Sequence, residues 1–319
     1  MKNKKPKRFR KFYLIVLSLF VLINIIVINQ AYHLTHFYEH GTVKPLSEQT
    51  AGFFGKIKVA LLGFKLEKLN GATPDSAFTH FKLKTDDELI LDAWLIRVPN
   101  AKGTVALFHG HGGEKSSNLS QSNFFNEMGY STLLVDFRAH GQSQGNTCTI
   151  GYREAKDVKA AFDYLKNNGE RTIILYGISL GAATITKAIA DYDLNPQKII
   201  LEMPFASLPA TVEGKMRMAG FPSEPLGGLL TFWGGAINGF WAFNIEPKEY
   251  VKKIKCSVLL QWGKKDKGVT ETEIQEIYKN IPSAKKLVVY EKSGHENLYE
   301  NEPEKWEETI EDFLTDKTK

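Results

Sequence analysis

Cysteine is nearly absent from this chain, with two among 319 residues, Cys148 and Cys256. So few cannot build a disulfide framework or a cysteine-rich zinc module. Internal repeats and low-complexity tracts are also missing, which argues against solenoids and disordered linkers. Two gaps in charge are more telling. Residues 1 to 11 contain seven bases (Lys2, Lys4, Lys5, Lys7, Arg8, Arg10 and Lys11) and no acid, and residues 12 to 29 contain no charge of either sign. The whole chain carries +5, so removing those seven bases leaves the remainder at −2. No basic surface is left to hold nucleic acid, and the tail alone accounts for the basic balance.

The uncharged run FYLIVLSLFVLINIIVIN is long enough to cross a bilayer, which takes ~17–25 apolar residues. A cleavable signal has a shorter apolar core, ~7–15 residues, and a small-residue cleavage site. The exit here, Asn29-Gln30-Ala31-Tyr32-His33, offers none. The run therefore reads as an uncleaved, single-pass anchor. Its basic flank should stay in the cytoplasm and send the rest of the chain outside, into the periplasm or extracellular space. Four regions are expected: a basic cytoplasmic tail (1–11), a transmembrane anchor (12–29), a juxtamembrane connector (30–78) and a catalytic domain (79–319). In the connector, Phe54, Ile57, Leu61 and Phe64 recur at helical spacing among lysines. Such a helix either lies on a membrane surface or packs on the domain.

From His80 onward, apolar runs alternate with helical patterns. Strands are predicted at 80–85, 89–97, 103–109, 131–136, 171–176, 197–202, 257–262 and 286–290, and helices at 116–128, 152–167, 180–191, 271–280 and 303–315. The first two strands alternate in polarity, as a hairpin does, and the later ones are continuous apolar runs, as buried parallel strands are. The predicted fold class is α/β: a mostly parallel, doubly wound sheet with an antiparallel start. Cys148 and Cys256 then lie at opposite ends of strands, beyond the ~7 Å Cα separation that a disulfide tolerates, and read as free thiols.

One stretch breaks the rhythm. Residues about 204–250 hold Phe232, Trp233, Phe240 and Trp241 among many glycines. This segment reads as a lid whose four aromatics form an apolar, substrate-binding wall; the alternative is extra core helices that never touch substrate.

The chemistry centres on Gly177-Ile178-Ser179-Leu180-Gly181, placed between a strand and a helix. A sharp turn there lifts a serine hydroxyl out of the backbone at the N-terminus of a helix, whose amides favour negative charge. Ser179 is thus the candidate nucleophile. Its base and acid should follow it on loops at the carboxyl ends of later strands. His295 is the sole histidine after Ser179. Asp266 ends the loop after 257–262, and Glu202, at the end of the preceding strand, is its rival. Asp266 is favoured because a glycine and a turn precede it. The glycine-rich loop at 109–113 should bring a second oxyanion donor, so the backbone N–H groups of His111 and Leu180 are paired in that role. His109 and His111 at i and i+2 suit a metal, but no third ligand follows at a usual spacing. No metal and no cofactor is expected, and His109 reads as a buried structural residue.

Taken in order, HGHGG (109–113), DFRAHGQSQG (136–145), GISLG (177–181), GKKD (263–266) and GH (294–295) resemble the α/β-hydrolase superfamily, in particular its serine-aminopeptidase-like branch of small serine hydrolases. The resemblance covers residues of about 80 to 315. It departs at Ala139-His140, where that branch has glycine followed by a variable residue. It implies hydrolysis of an ester, thioester or amide through an acyl-serine, carried by Ser179, Asp266 and His295. A small-molecule or lipid-like acyl substrate and a membrane, met through the N-terminal helix, are the expected partners. The same residues also serve acyl transfer to an alcohol or amine. From a different class, the scaffold could serve a non-catalytic envelope binding protein.

Overall fold

All eight apolar runs become strands of a single sheet. The computed structural model describes residues 7–44 and 46–315. Its strands are β1 (Thr79–Lys84), β2 (Ile90–Ile96), β3 (Thr104–Phe108), β4 (Ser131–Val135), β5 (Ile173–Ile178), β6 (Lys198–Glu202), β7 (Ser257–Gly263) and β8 (Lys285–Tyr290). They lie in the order β8-β7-β6-β5-β3-β4-β2-β1. β2 runs antiparallel to both β1 and β4, and all other pairs are parallel. Every residue of β3, β4 and β6 is buried, the mark of strands covered on both faces. The chain leaves β3 toward β4 and then returns to β5 on the other side of β3. A crevice opens at such a reversal, beyond the carboxyl ends of the two strands, and that is where an open α/β sheet binds its ligand.

Helices α1 (Lys7–Thr35), α2 (Gly52–Leu62), α3 (Leu119–Glu127), α4 (Ala155–Asn167), α5 (Leu180–Tyr192), α6 (Leu208–Met218), α7 (Leu226–Asn238), α8 (Glu271–Asn280) and α9 (Pro303–Leu314) complete the frame. α3 and α9 meet over one face of the sheet, where Phe124, Phe125, Tyr176 and Trp306 pack edge to face. Trp306 is fully buried, so truncating it to alanine should cost about 3–5 kcal/mol. Beside β2 and β4, the Lys115 ammonium sits between Asp92 and Asp136 at 2.9 and 2.6 Å. Arg138 is held by Asp157 and Asp87 at 2.7 and 2.9 Å. These buried pairs fix the loop that follows β4. Ala139, which stands where the resembling branch has glycine, takes a φ of 65°. That left-handed conformation costs a non-glycine residue ~1–2 kcal/mol and explains the glycine preference.

The N-terminal run forms a helix long and apolar enough to cross a membrane by length and composition. Side chains from Phe9 to Ile23 are exposed, and burial begins at Asn24, where α1 meets α7. Lys2, Lys4 and Lys5 of the basic tail lie outside the described residues. The connector does not hang free. Gln30 Nε2 donates to the Val59 and Ala60 carbonyls of α2 at 2.7 and 2.8 Å, and residues 37–38 pair with 66–67 in a short parallel ladder. Of the predicted amphipathic face, Phe54, Ile57 and Leu61 point away from the domain. Both cysteines are free thiols, Cys148 buried.

Candidate active site

Ser179 takes φ 51° and ψ −106°, a backbone strain of the kind that accumulates at functional turns. Two glycines make the turn feasible. A Cβ at Gly177 would come within 2.5 Å of the Gly181 carbonyl carbon, and one at Gly181 within 2.2 Å of the Phe108 carbonyl oxygen. The Ser179 N–H is spent on the Glu202 carbonyl at 2.7 Å, which ties the elbow to β6 and extends β5 through Ile178, two residues beyond the predicted end.

The loops after β7 and β8 converge on that hydroxyl. His295 Nε2 lies 3.0 Å from Ser179 Oγ, and His295 Nδ1 lies 2.7 Å from Asp266 Oδ2. A carboxylate can only accept, so Nδ1 carries the proton and Nε2 is left as an acceptor for the serine. The other Asp266 oxygen, Oδ1, accepts from the N–H groups of Gly268 and Val269 at 2.6 and 2.8 Å. Both carboxylate oxygens are thus fixed. Glu202 goes elsewhere: its Oε1 accepts from Trp306 and Gln261 in the aromatic cluster, with no contact to His295. Burial pushes its carboxyl up to about 7.

The glycine-rich loop is set by histidines. His109 Nδ1 donates to the Gly110 carbonyl at 2.7 Å, and its Nε2 accepts from Phe137 N–H at 3.1 Å. His140 donates from Nδ1 to the Arg138 carbonyl at 2.9 Å and accepts at Nε2 from Gly112 N–H at 3.2 Å. Burial lowers these two imidazoles to about 4 and about 3, so both stay neutral acceptors near pH 7. Among the described residues no hydrogen bond occupies the main-chain N–H of His111 or Leu180, and both residues face the cavity above Ser179. The His111 ring donates from Nε2 to the Leu34 carbonyl of α1 at 3.1 Å, and its Nδ1 lies 3.4 Å from Lys215 Nζ. No group of three His, Cys, Asp or Glu side chains among the described residues could hold a metal ion.

The cavity measures about 1360 Å³ and is walled mainly by apolar side chains. Its walls correct the sequence expectation. Phe232, Trp233, Phe240 and Trp241 do not line it. Trp233 donates its Nε1 to Asn24 of α1 at 2.9 Å, Phe240 stacks on Tyr152, and Phe232 and Trp241 are 40% and 56% exposed. The segment does reach the cavity, but α7 turns its aromatic face to α1 and outward, and offers Leu226 and Leu230 inward. The rest of the wall comes from Val212, Lys215 and Met216 of α6, Val59 and Phe64 of the connector, and Ile23, Ile26 and Val27 of α1. No sequence signal marked α1 as part of the site, since a run that is apolar all round has no distinguishable face. Among the described residues Lys215 is the single lysine or arginine in the lining, and burial pushes its ammonium down from the ordinary value.

A family model described as serine aminopeptidase, S33, matches residues 99–229. The uncharacterised protein YqkD of Bacillus subtilis is 27% identical over 215 residues, 66% of this chain and 70% of its own length. An uncharacterised membrane protein of Saccharomyces cerevisiae is 25% identical over 252 residues, 77% of this chain and 83% of its own. Among solved structures, the esterase Pf2001 of Pyrococcus furiosus superposes with a TM-score of 0.66 at 24% identity, covering 78% of this chain and 97% of that one. The esterase EaEST of Exiguobacterium antarcticum superposes with a TM-score of 0.58 at 20% identity, covering 74% and 100%. The family match runs from just before β3 into the first turn of α7, and the two esterases superpose over about three quarters of the chain; the chain has the α/β-hydrolase fold.

Proposed function

We propose that this protein is a membrane-anchored serine hydrolase that cleaves a carboxylic ester, or the equivalent thioester or amide, through an acyl-serine. One observation carries the reading: Ser179 Oγ, His295 Nε2 and Nδ1, and Asp266 Oδ2 form an unbroken hydrogen-bonded line at the floor of an apolar cavity. In the reaction, Oγ attacks the carbonyl carbon as its proton passes to His295 Nε2. Asp266 stabilises the imidazolium and holds its orientation. The oxyanion forms beside the N–H groups of His111 and Leu180. His295 then gives its proton to the leaving group, and water repeats the sequence to release the acid. Losing one oxyanion donor typically costs ~10²–10³ in turnover. The N-terminal helix supports the anchor, and the bases ahead of it support a cytoplasmic N-terminus with the cavity on the outer side.

Labelling of the full chain in detergent with a fluorophosphonate probe tests the assignment. Ser179→Ala should abolish labelling, and His295→Ala should lower ester turnover by roughly 10⁶. Undiminished labelling of the serine variant would overturn the reading.

A further inference from the structure

We infer that the cavity is filled from the bilayer, and that the substrate is a long-chain acyl ester resident in the membrane rather than a solute from the water. The inference rests on the serine hydrolase reading and names the substrate class of the same site. One continuous cavity wall joins Ser179 and His295 to Ile23, Ile26 and Val27 of α1. Those three residues belong to the apolar run 12–29. At ~1.5 Å per residue, Ile23 lies roughly 9 Å along the helix axis inside its Asn29 end, at a depth where hydrocarbon surrounds the helix. A chain lying beside Ile23 is therefore at acyl depth, and Ile26 and Val27 continue the cavity wall from that depth toward the end of the run.

α2 and α7 both pack against α1 and carry exposed aromatics. Phe53 and Phe54 of α2, Phe221 after α6, Phe232 of α7 and Trp241 are all exposed, Phe54 at 82%. Isolated exposed apolar residues are ordinary, but Phe53 with Phe54 and Phe232 with Trp241 form two edge-to-face pairs flanking a spanning helix, as in the interfacial belts of membrane proteins. The occupant follows from continuity. Trp233 is bonded to Asn24, so α7 is fixed to α1 within the uncharged run, and whatever surrounds α1 there also surrounds α7. The cavity also exceeds the ~300–1,000 Å³ of ordinary small-molecule sites. After attack, the C–O bond of the lipid ester breaks, the acyl group stays on Ser179 Oγ, and the head-group alcohol leaves with the proton from His295. Water then releases the fatty acid.

The test uses the full chain in dioleoylphosphatidylcholine vesicles carrying dioleoylphosphatidylglycerol and dioleoylglycerol, with released oleate measured by mass spectrometry. p-Nitrophenyl acetate is assayed in the same vesicles. Oleate release that disappears in Ser179→Ala is the expected result. Ile26→Trp, which fills the bilayer end of the cavity, should lower the ratio of oleate release to acetate-ester turnover by about tenfold or more, the equivalent of about two buried methylenes. Acetate-ester turnover without oleate release, or a ratio that Ile26→Trp does not move, would overturn the inference while leaving the hydrolase standing. Failure on both substrates would instead remove the hydrolase reading, and the inference with it. Should the variant not fold, tryptophan quenching by brominated phosphatidylcholine decides. The wild-type chain should show quenching that Trp241→Phe reduces, and an unquenched wild type would place this face in water and refute the inference.

Discussion

Replacing Asp266 by asparagine tests the site through a single atom. Asp266 Oδ1 receives two main-chain N–H groups, from Gly268 and Val269, and Oδ2 receives His295 Nδ1–H. Asparagine has one acceptor oxygen and one NH₂ donor. If the oxygen stays with Gly268 and Val269, the NH₂ faces His295 Nδ1, which must then give up its proton. The ring proton moves to Nε2 and points at Ser179 Oγ, so the base can no longer accept. If the amide flips, two buried N–H groups face a donor instead, at about 1–3 kcal/mol each. That penalty exceeds the single bond it would preserve, so the first arrangement wins. Turnover should fall by roughly 10⁴ with little loss of stability, as expected when the imidazole is locked in the wrong tautomer. The assay is p-nitrophenyl acetate turnover by the full chain, with the thermal midpoint as a folding control. A loss of under about tenfold in a folded variant would refute the assignment, because His295 then has no other group to keep its tautomer.

Other predictions concern Glu202 and the topology. Burial holds the Glu202 carboxyl near 7, above its ordinary 4.5. An acid raised in the folded state contributes stability below its unfolded value, and that contribution is lost as pH climbs through the folded value. Glu202→Gln, which cannot ionise, should therefore gain on the wild type between pH 5 and pH 8 by roughly 1–3 kcal/mol, read from thermal midpoints at the two pH values, with a mild effect on turnover. A gain that is larger at pH 5 would reverse the sign and refute the argument. A reporter active only outside the cytoplasm, fused after Lys319, should be active, with the protein retained in membranes after a carbonate wash. A soluble form processed near Ala31 would show a cleaved signal instead.

Much of the fold was legible because buried parallel strands leave continuous apolar runs, and the eight runs from His80 onward became eight strands with ends shifted by a residue or two. The elbow was legible because Gly177 and Gly181 stand where a Cβ would strike backbone. The faces of helices were harder. Phe232 and Trp233 are adjacent in sequence, and nothing in the pattern says that Leu226 and Leu230 turn toward the cavity while the aromatics turn away. Rules for aqueous proteins bury large aromatics; here an apolar helix alongside changes what counts as outside. The choice between Asp266 and Glu202 likewise depended on two loop amides and on Trp306, which follows Glu202 by more than a hundred residues.

The Leu34 carbonyl, in the last turn of α1, receives the ring N–H of His111, and the Thr35 carbonyl next to it receives Cys148 N–H. With α1 as the proposed anchor, a protease clipping the chain at the membrane face would therefore do more than release a domain. It would remove the cavity wall made by Ile23, Ile26 and Val27 and leave the last turn of α1, which holds the His111 ring, without the helix that supports it. Shedding should act as an off switch rather than a route to a secreted enzyme, and any shortened version meant for inhibitor work must keep the helix to keep the pocket.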